Sequence, residues 1–371
     1  MRPGSANLKE VLKGSFTSRL IVDAFYGSTR TMMDVPVVDW DLSWDSAADI
    51  KAVGSLTVVY SDAVAASMTP RRFVDALAPF GQELNLLLEV SAGRFSETIQ
   101  LGRYRVTSVP DARDDYFELL GRTLVAGSTV TLDLDDRMVA LQRWGFPSEQ
   151  NPVLTGSCFG ELGRITGMQV KRSVADKSVP GSVVYEASQG GRMKAVQELA
   201  GVLGGVAYVT PDGALSVLPD ARGPVVGELV LGDGGTILDV KYALESDGVF
   251  NEVIGNFEDD DRNPINASAR ITDGPLSVSG PYGVYTRYYS SQLVKTQAQA
   301  DAAVRAVLDQ VSNQRTYRVP VECVPNPLIE DGDTVTLELP VGAPLVGRVV
   351  SHKLSMSGPM QLELEVARGD G

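Results

Sequence analysis

The sequence predicts a mainly β protein in which a smaller α+β domain is inserted between two β domains. Most of the chain alternates apolar and polar residues with a period of two and is divided by turn residues, which is typical of strands. Helical periodicity is confined to a few stretches, of which 192–203 and 296–311 are the clearest. Several strands at near-regular spacing indicate a barrel or a sandwich. We therefore expect three domains: a first β domain at 1–148, an α+β insert at 149–245, and a second β domain at 246–371 containing a helix at 297–312.

The first domain is predicted from a succession of strands. Their ranges are 18–26, 35–44, 53–60, 83–90, 97–109, 116–126 and 128–134. Val38, Trp40 and Leu42 alternate with polar residues, so the second and third strands are expected to form one hairpin. Thr69-Pro70 is suited to begin a helix and Pro79 with Gly81 to end it, which predicts a short helix between them.

The middle of the chain changes to helical periodicity. Short helices are predicted at 136–144 and 157–166, on either side of a Pro-, Gly- and Ser-bearing boundary. In the helix at 192–203, Met193, Val196 and Leu199 share one face. Strands at 206–210 and 214–218 flank an Asp-Gly turn, which predicts a hairpin.

The last part begins with strands at 251–257 and 267–272, followed by a Gly-, Pro- and Tyr-rich segment at 274–289 that the pattern leaves unassigned. Thr296 and Gln299 have the spacing of a capping box at the start of a helix. A meander is then predicted from strands at 317–323, 334–339, 345–356 and 360–367, with Gly332 supplying a positive φ angle in its first loop.

Composition excludes several classes of function. The chain has 33 basic and 47 acidic residues, a formal charge of −14, which argues against binding a nucleic-acid backbone or an anionic membrane. No stretch has the length of a membrane span, and the N-terminus lacks the apolar region of a signal peptide, so no membrane anchor is expected. Cys158 and Cys323 match no metal or redox spacing and are predicted to be small buried thiols.

Candidate catalytic and metal-binding residues are few. His352 is the only histidine, so it cannot form a two-histidine metal site, and its place in a predicted strand favours a packing role. Asp259, Asp260 and Asp261 with Asn263 offer oxygen ligands for calcium, but not at EF-hand spacing. The other clustered acids are interpreted as turn residues: Asp133, Asp135, Asp136, Asp331 and Asp333. Two unidentified acids would suffice for glycan hydrolysis. No catalytic, cofactor-binding or metal-binding residue is therefore predicted.

Three further motifs have a structural and a functional interpretation. The run Gly156 to Gly167 lacks the Gly-Lys-Ser/Thr ending of a phosphate loop, so a nucleotide site is not expected. Arg368-Gly369-Asp370 resembles an integrin-type tripeptide, for which chance is the better explanation. Aromatic residues could form a platform for sugar stacking or belong to the core or an interface. They are Trp40, Trp44, Trp144, Tyr282, Tyr285, Tyr288 and Tyr289.

The chain resembles the tail hub, or minor tail, proteins of tailed bacteriophages, in particular those of siphophages infecting actinobacteria. The resemblance is carried by the order and spacing of several stretches over nearly the whole chain. They are Arg19–Asp23, the Val38–Ser43/Ser55–Tyr60 hairpin, Pro79-Phe80-Gly81 with Leu84–Val90 and Leu101–Val106, Ala195–Ala200 with Ala207–Gly213, Phe250–Val253, and Asn326-Pro327 with Asp331–Val335.

The resemblance implies a non-enzymatic structural protein without a cofactor, assembled in the host cytoplasm and located at the distal end of the tail. Such hubs are homotrimers whose two barrels per chain make a pseudo-sixfold ring on the sixfold tail tube. The implied partners are the tail tube or distal tail protein and tip, fibre or tape-measure proteins, and the genome passes through the lumen without specific binding. Because the sequence stops soon after the meander, lytic or receptor-binding work is expected on other chains.

Two other classes of function remain open from the sequence. A carbohydrate-binding or receptor-binding module would use the tyrosines at 282–289 and would bind glycan as an isolated protein. A tail-associated glycan hydrolase would use two acids and would lose activity on a single Asp or Glu substitution.

Overall fold

The structure is a computed structural model that describes residues 1–61, 67–241, 248–259, 263–291, 294–312 and 316–367. It is mainly β with few helices, as the sequence predicts. The elements, in order, are α1 (Ala6–Val11), β1 (Thr17–Tyr26), β2 (Thr29–Met32), β3 (Val37–Asp45), β4 (Ala52–Tyr60), β5 (Gln82–Ala92), β6 (Phe95–Leu119), β7 (Arg122–Asp136), α2 (Val139–Arg143), α3 (Cys158–Thr166), α4 (Gly191–Leu203), β8 (Gly205–Val209), β9 (Leu215–Pro219), β10 (Val225–Val230), β11 (Ile237–Val240), β12 (Glu252–Glu258), β13 (Pro264–Arg270), β14 (Thr286–Tyr289), α5 (Gln297–Val311), β15 (Thr316–Cys323), β16 (Thr334–Glu338), β17 (Leu345–Ser355) and β18 (Met360–Ala367).

One sheet joins strands from both ends of the chain. Its order is β11-β15-β18-β17-β3-β4-β7-β6-β5-β1-β2, with β16 and β10 attached beside β17. The join is the antiparallel pair of β17 and β3, in which Leu354 lies opposite Leu42. The strand pairs among the described residues form an open path, so the prediction of two closed barrels is not confirmed.

Three hydrophobic cores lie in different parts of the molecule. The first follows the large sheet and includes Leu56 and Leu132 from the first half of the chain and Leu364 from the last strand. The second lies between residues 138 and 217, where α3 packs on α4 and α4 packs against the β8–β9 hairpin. We call residues 138–219 the insert. The third lies between α5 and the three-stranded sheet β13-β12-β14. The domain boundaries at 148 and 245 stay predictions, and the second lies outside the described residues.

Local signals explain the longer helices. Thr296 and Gln299 form the predicted capping box at the start of α5. Ser157 caps α3 by accepting a hydrogen bond from the Gly160 amide, and the helix ends at Gly167 in the left-handed region. The longest described helix has 15 residues, and none of the described helices is both long and apolar enough to span a membrane.

Two predictions between residues 69 and 127 are wrong: the helix after Thr69 and the ends of two strands. No helix follows Thr69. Its hydroxyl donates to Asp114 on β6, and Asp75 accepts the amides of Arg71 and Arg72 in a local turn. The strands predicted at 97–109 and 116–126 do not end where expected either. β6 runs on to Leu119 through bulges, and the chain turns at Leu120-Gly121 before β7 begins.

Candidate functional site

The only histidine lies in a buried polar cluster. His352 on β17 forms a hydrogen bond through Nδ1 with Asp331 Oδ1, at 2.6 Å, and its ring stacks on Trp44 with centroids 4.3 Å apart. Arg2 lies over the Trp44 ring, with its guanidinium carbon 5.1 Å from the ring centroid. The Arg2 guanidinium also donates to the carbonyls of Pro327 and Ile329. The cluster thus joins the N-terminal segment, β3, β17 and the loop before β16.

A cavity of about 220 Å³ lies beside this cluster, between the large sheet and the insert. The sheet contributes Tyr104 and Asp136 to its lining, and the insert contributes Tyr208 and Leu218. Gly332, in the loop that carries Asp331, approaches Leu218 so closely that an added Cβ would lie 2.4 Å from Leu218 Cδ1. This loop is therefore one of the places where the insert docks on the sheet.

Burial controls the charge of the groups in the cluster. Burial first, and then the neighbouring carboxylate of Asp45, raise the pKa of Asp331 to about 8. Burial also lowers the pKa of His352 well below its usual value, and the nearby Arg2 acts in the same direction. At neutral pH we therefore assign a neutral pair, in which the protonated carboxyl group of Asp331 donates to Nδ1 of His352. Burial raises the pKa of Asp136 to about 6, although amides including that of Met138 donate to it.

This geometry supports a structural role, in which the cluster connects separate parts of the fold, rather than a nucleophilic site. The Nε2 atom of His352 is buried and has no hydrogen-bond partner among the described residues, so no described hydroxyl is paired with it. The Ser46 hydroxyl at the cavity donates to the Val350 carbonyl instead. In the part of the chain that the structure describes, no group of three or more His, Cys, Asp or Glu residues could hold a metal ion.

The remaining sequence candidates are dispersed. Asp259 accepts hydrogen bonds from the amide and side chain of Asn263, as in a turn, whereas Asp260, Asp261 and the 368–370 tripeptide lie outside the described residues. Trp40 is buried and Trp144 stacks on the guanidinium of Arg192.

The thiols and the glycine run have structural roles. Cys158 and Cys323 are both buried and free, as predicted. The run from Gly156 to Gly167 forms α3 and its caps.

The tyrosines at 282–289 form part of a surface. The rings of Tyr282 and Tyr285 lie 4.8 Å apart at an angle of 33°, and both Tyr285 and Tyr288 are exposed. The Tyr282 hydroxyl donates to the Val249 carbonyl, which fixes that ring against the start of the small sheet. Tyr289 turns the other way, since its ring packs edge-on against Phe257 in the third core.

A projecting hairpin is the main feature that the sequence interpretation missed. Residues 111–127 of β6 and β7, which we call the arm, extend beyond the neighbouring strands, because β5 pairs with β6 as far as Arg105 and β4 pairs with β7 from Ser128 onward. Among the described strands, residues 115–127 pair only with each other. The tip of the arm is apolar and exposed, and Leu120 at the turn is 95% exposed. The uninterrupted β-forming run around the Leu120-Gly121 turn was the available signal.

A second segment is held against the base of the arm. Residues 67–81, which we call the strap, have no helix or strand. The Asp114 side chain on the arm is only 1% exposed and accepts hydrogen bonds from Ser67, Thr69 and Arg71 of the strap and from Ser128 of β7. Burial alone would raise the pKa of Asp114, but these hydrogen bonds and the Arg71 charge lower it to about 2.

The fold is similar to that of solved phage tail proteins. No protein-family model and no curated protein matches the chain. A tail protein from Neisseria meningitidis MC58 matches with a TM-score of 0.59 at 12% identity, covering 94% of this chain and 97% of that one. The 43 kDa tail protein of prophage MuSo2 from Shewanella oneidensis matches with a TM-score of 0.57 at 12% identity, covering 94% and 98%. At this identity the likeness establishes a shared fold over almost the full length of each chain.

Proposed function

We propose that this chain is a structural protein of a phage tail. The observation that carries the proposal is the match of fold to two tail proteins, each over nearly the whole of both chains. The buried polar cluster supports it as well, since its polar groups hold the N-terminal segment, the sheet and the loop before β16 together rather than presenting a nucleophile. In this role the protein acts by assembly and catalyses no reaction.

Within the tail, we propose the position of a trimeric hub at the distal tip of the virion. Three copies would close or adapt the sixfold tail tube to threefold tip or fibre proteins, with the tail tube or distal tail protein and the tape-measure protein as neighbours. The chain then divides into two β domains at 1–148 and 246–371 and an α+β domain at 149–245. The net charge of −14 suits a lumen through which DNA passes, because acidic walls repel phosphate groups.

The mass of the purified chain in solution, by light scattering, tests the trimer. We expect about three times 39.6 kDa and, by negative-stain imaging, a ring with an open centre. A chain that stays monomeric both alone and after addition of the tail tube protein from the same phage would contradict the hub. Basic residues along the lumen of the assembled ring would contradict the proposed DNA channel while leaving the ring intact.

A second candidate function is binding of a glycan receptor by the surface tyrosines. It is favoured by the exposed rings of Tyr285 and Tyr288 and by the fixed position of Tyr282, since sugars stack on aromatic faces held at a surface. A glycan array with the isolated protein tests it. We expect binding that Tyr285→Ala removes and that Tyr26→Ala, a change of an equally exposed tyrosine elsewhere, preserves.

A further inference from the structure

The cavity between the large sheet and the insert is lined by two buried polar groups that the fold leaves without an acceptor. Tyr104 is 1% exposed, and among the described residues its hydroxyl has Trp44 as a neighbour but no hydrogen-bond partner. An indole only donates, so the hydroxyl proton of Tyr104 has no acceptor. The side chain of His352 is equally buried, and its Nε2 atom has no partner in the part of the chain that the structure describes. Both residues line the cavity.

Both groups present a proton to the cavity. Nδ1 of the neutral His352 accepts from the protonated Asp331, so the ring proton of the imidazole is on Nε2. Native proteins leave few buried donors without an acceptor, because such a group loses its hydrogen bonds to water and gains nothing in return. Two such donors beside one cavity indicate an occupant that carries acceptor atoms.

The cavity is large enough for a ring. Its volume of about 220 Å³ exceeds the ~150 Å³ in which a protein cavity binds benzene, so it has room for one six-membered ring and a substituent. Val206 and Leu218 of the insert give it apolar walls, and Tyr208 adds an aromatic one. An apolar body therefore fits against the insert, with its polar end towards the sheet.

The cavity is also accessible and shaped for its lining tyrosine. Ala221 and Gly223 belong to the lining and are exposed, so the cavity meets solvent at this rim. A Cβ atom added to Gly102 would lie 2.6 Å from Cε2 of Tyr104, so the glycine is what leaves space for the tyrosine ring in this position.

The basic side chains that line the cavity are already engaged. Arg103 forms an ion pair with Glu83. The Arg2 guanidinium donates to two backbone carbonyls and lies 3.6 Å, from Nε, from the carboxylate of Glu330. The Lys51 ammonium donates to two backbone carbonyls of its own loop. An anionic ligand would therefore have to displace existing contacts.

The acids in the lining are engaged as well. Asp136 accepts hydrogen bonds from three backbone amides, and Asp333 accepts one from the amide of Glu330. Asp331 is protonated and donates to His352. A buried charge without a partner is strongly unfavourable, so this lining favours an uncharged occupant.

We propose that this cavity binds a small uncharged molecule that consists of one ring and a carbonyl-type acceptor. The ring lies against Val206 and Leu218, and the oxygen accepts hydrogen bonds from the Tyr104 hydroxyl and from Nε2 of His352. The proposal does not depend on the role of the chain in a tail. A ligand in this place contacts both the insert and the sheet and therefore stabilises their docking.

Two probes of the same size test the charge of the ligand. Acetophenone has a ring and an uncharged carbonyl group, and benzoate has the same shape with a negative charge. Each is titrated into the full chain and followed by ligand-observed NMR. We expect acetophenone to bind with a dissociation constant in the millimolar range and benzoate to bind at least tenfold more weakly. No binding of acetophenone would mean that the cavity holds water only, and that result or tighter binding of benzoate would overturn the proposal.

A variant without the hydroxyl tests the acceptor. Tyr104→Phe should weaken acetophenone binding by roughly three- to tenfold, the contribution of one hydrogen bond between uncharged groups. It should leave α-methylstyrene, in which a methylene group replaces the carbonyl oxygen, unaffected. Tyr185→Phe is the matched control, because its buried hydroxyl lies in the core of the insert, and it should alter neither probe. An equal effect of Tyr104→Phe on both probes, or no effect on acetophenone, would contradict the proposed contact.

A second variant locates the binding without touching the buried groups. Ala221→Trp places a large side chain at the exposed rim, so the fold is retained and the entrance is blocked. We expect acetophenone binding to be lost, with a melting temperature within error of that of the wild type. Acetophenone that still binds to Ala221→Trp with unchanged affinity would show that it occupies another place on the protein, which would overturn the assignment of this cavity.

Discussion

Single residues in this protein acquire their properties from neighbours that are distant in sequence. Asp331 was interpreted as a turn acid and His352 as a strand residue, and both descriptions hold locally. The local pattern does not predict that Asp331 and His352 form a hydrogen bond with each other. Nor does it predict that Trp44 and Arg2, from the other end of the chain, pack beside them. The charge states follow from this burial, since removing a group from water disfavours its ionised form.

The stability of the protein is expected to depend on pH through Asp331. Its folded pKa of about 8 exceeds the ordinary value of 3.8, so the folded state keeps a proton that the unfolded chain loses. The cost to stability therefore grows as the pH rises from about 4 to about 8 and is constant above that. Asp331→Asn stays neutral and can still donate to His352, so we expect it to be more stable than the wild type by about 1–3 kcal/mol at pH 8.

Urea unfolding between pH 5 and pH 9 measures this effect as the difference between the variant and the wild type. The exposed Asp233→Asn is the control and should show no such difference. A difference that stays constant from pH 5 to pH 8 would mean that Asp331 is ionised in the folded protein.

Gly332 gives a second prediction at the scale of one residue. Its φ of +86° and its contact with Leu218 both oppose a side chain. We expect Gly332→Ala to lower the free energy of unfolding by about 2–4 kcal/mol, of which ~1–2 comes from the left-handed backbone. Gly234→Ala, with a φ of +73° and open space around it, isolates the backbone part and should cost only ~1–2 kcal/mol. Equal losses in thermal or urea unfolding would show that the Leu218 contact is unimportant.

At the scale of elements, local signals were reliable where neighbours reinforce them. The capping box of α5 forms as predicted, and Ser157 caps the predicted helix α3, because a cap satisfies backbone groups within the same turn. The strap is the opposite case: Thr69 has the chemistry of a helix cap, but Asp114 on the arm competes for its hydroxyl and for Ser67 and Arg71. Asp114 prevails because its one buried carboxylate accepts hydrogen bonds from several donors at once.

The attachment of the strap is therefore expected to depend on Asp114. Asp114→Asn removes the charge and leaves donors unpaired, so trypsin should cleave after Arg71 and Arg72 roughly tenfold faster, in line with about 1–2 kcal/mol of lost hydrogen bonding. Mass spectrometry of the early fragments measures this, and the exposed Asp115→Asn is the control. In the wild type, the depressed pKa means that attachment is complete above about pH 4 and is lost as the pH falls towards 2. Unchanged cleavage in Asp114→Asn would assign the strap's position to its apolar contacts.

At the scale of the whole molecule, the insert is fixed to the sheet by a few long-range contacts. Arg137 donates from Nε and Nη2 to both oxygens of Glu83, at 3.0 and 2.8 Å, and from Nη1 to the Gly213 carbonyl in the β8–β9 turn. Arg103 also pairs with Glu83, so the carboxylate remains neutralised if Arg137 is changed. The planar guanidinium is what allows one side chain to reach both elements.

Replacement of Arg137 by lysine should therefore loosen the insert without unfolding it. A lysine ammonium cannot form the two-oxygen contact and reach Gly213 at once, so we expect a loss of about 1–3 kcal/mol. Hydrogen exchange should accelerate in β8 and β9 while the β3–β4 hairpin remains protected. Arg143→Lys, an exposed arginine of α2, is the control. Uniform acceleration across both regions would mean that insert and sheet open as one unit.

The sequence by itself determined the mainly β class, the longer helices, the capping box of α5, the β8–β9 hairpin, the buried thiols and the acidic balance. These features follow from interactions between residues a few positions apart, or from composition, and neither depends on tertiary contacts. Tertiary structure alone decided that β3 pairs with β17, that residues 2, 44, 331 and 352 share one buried cluster, and that the segment after Thr69 is a strap. Each of these depends on contacts between residues tens to hundreds of positions apart, whose partners no local pattern specifies.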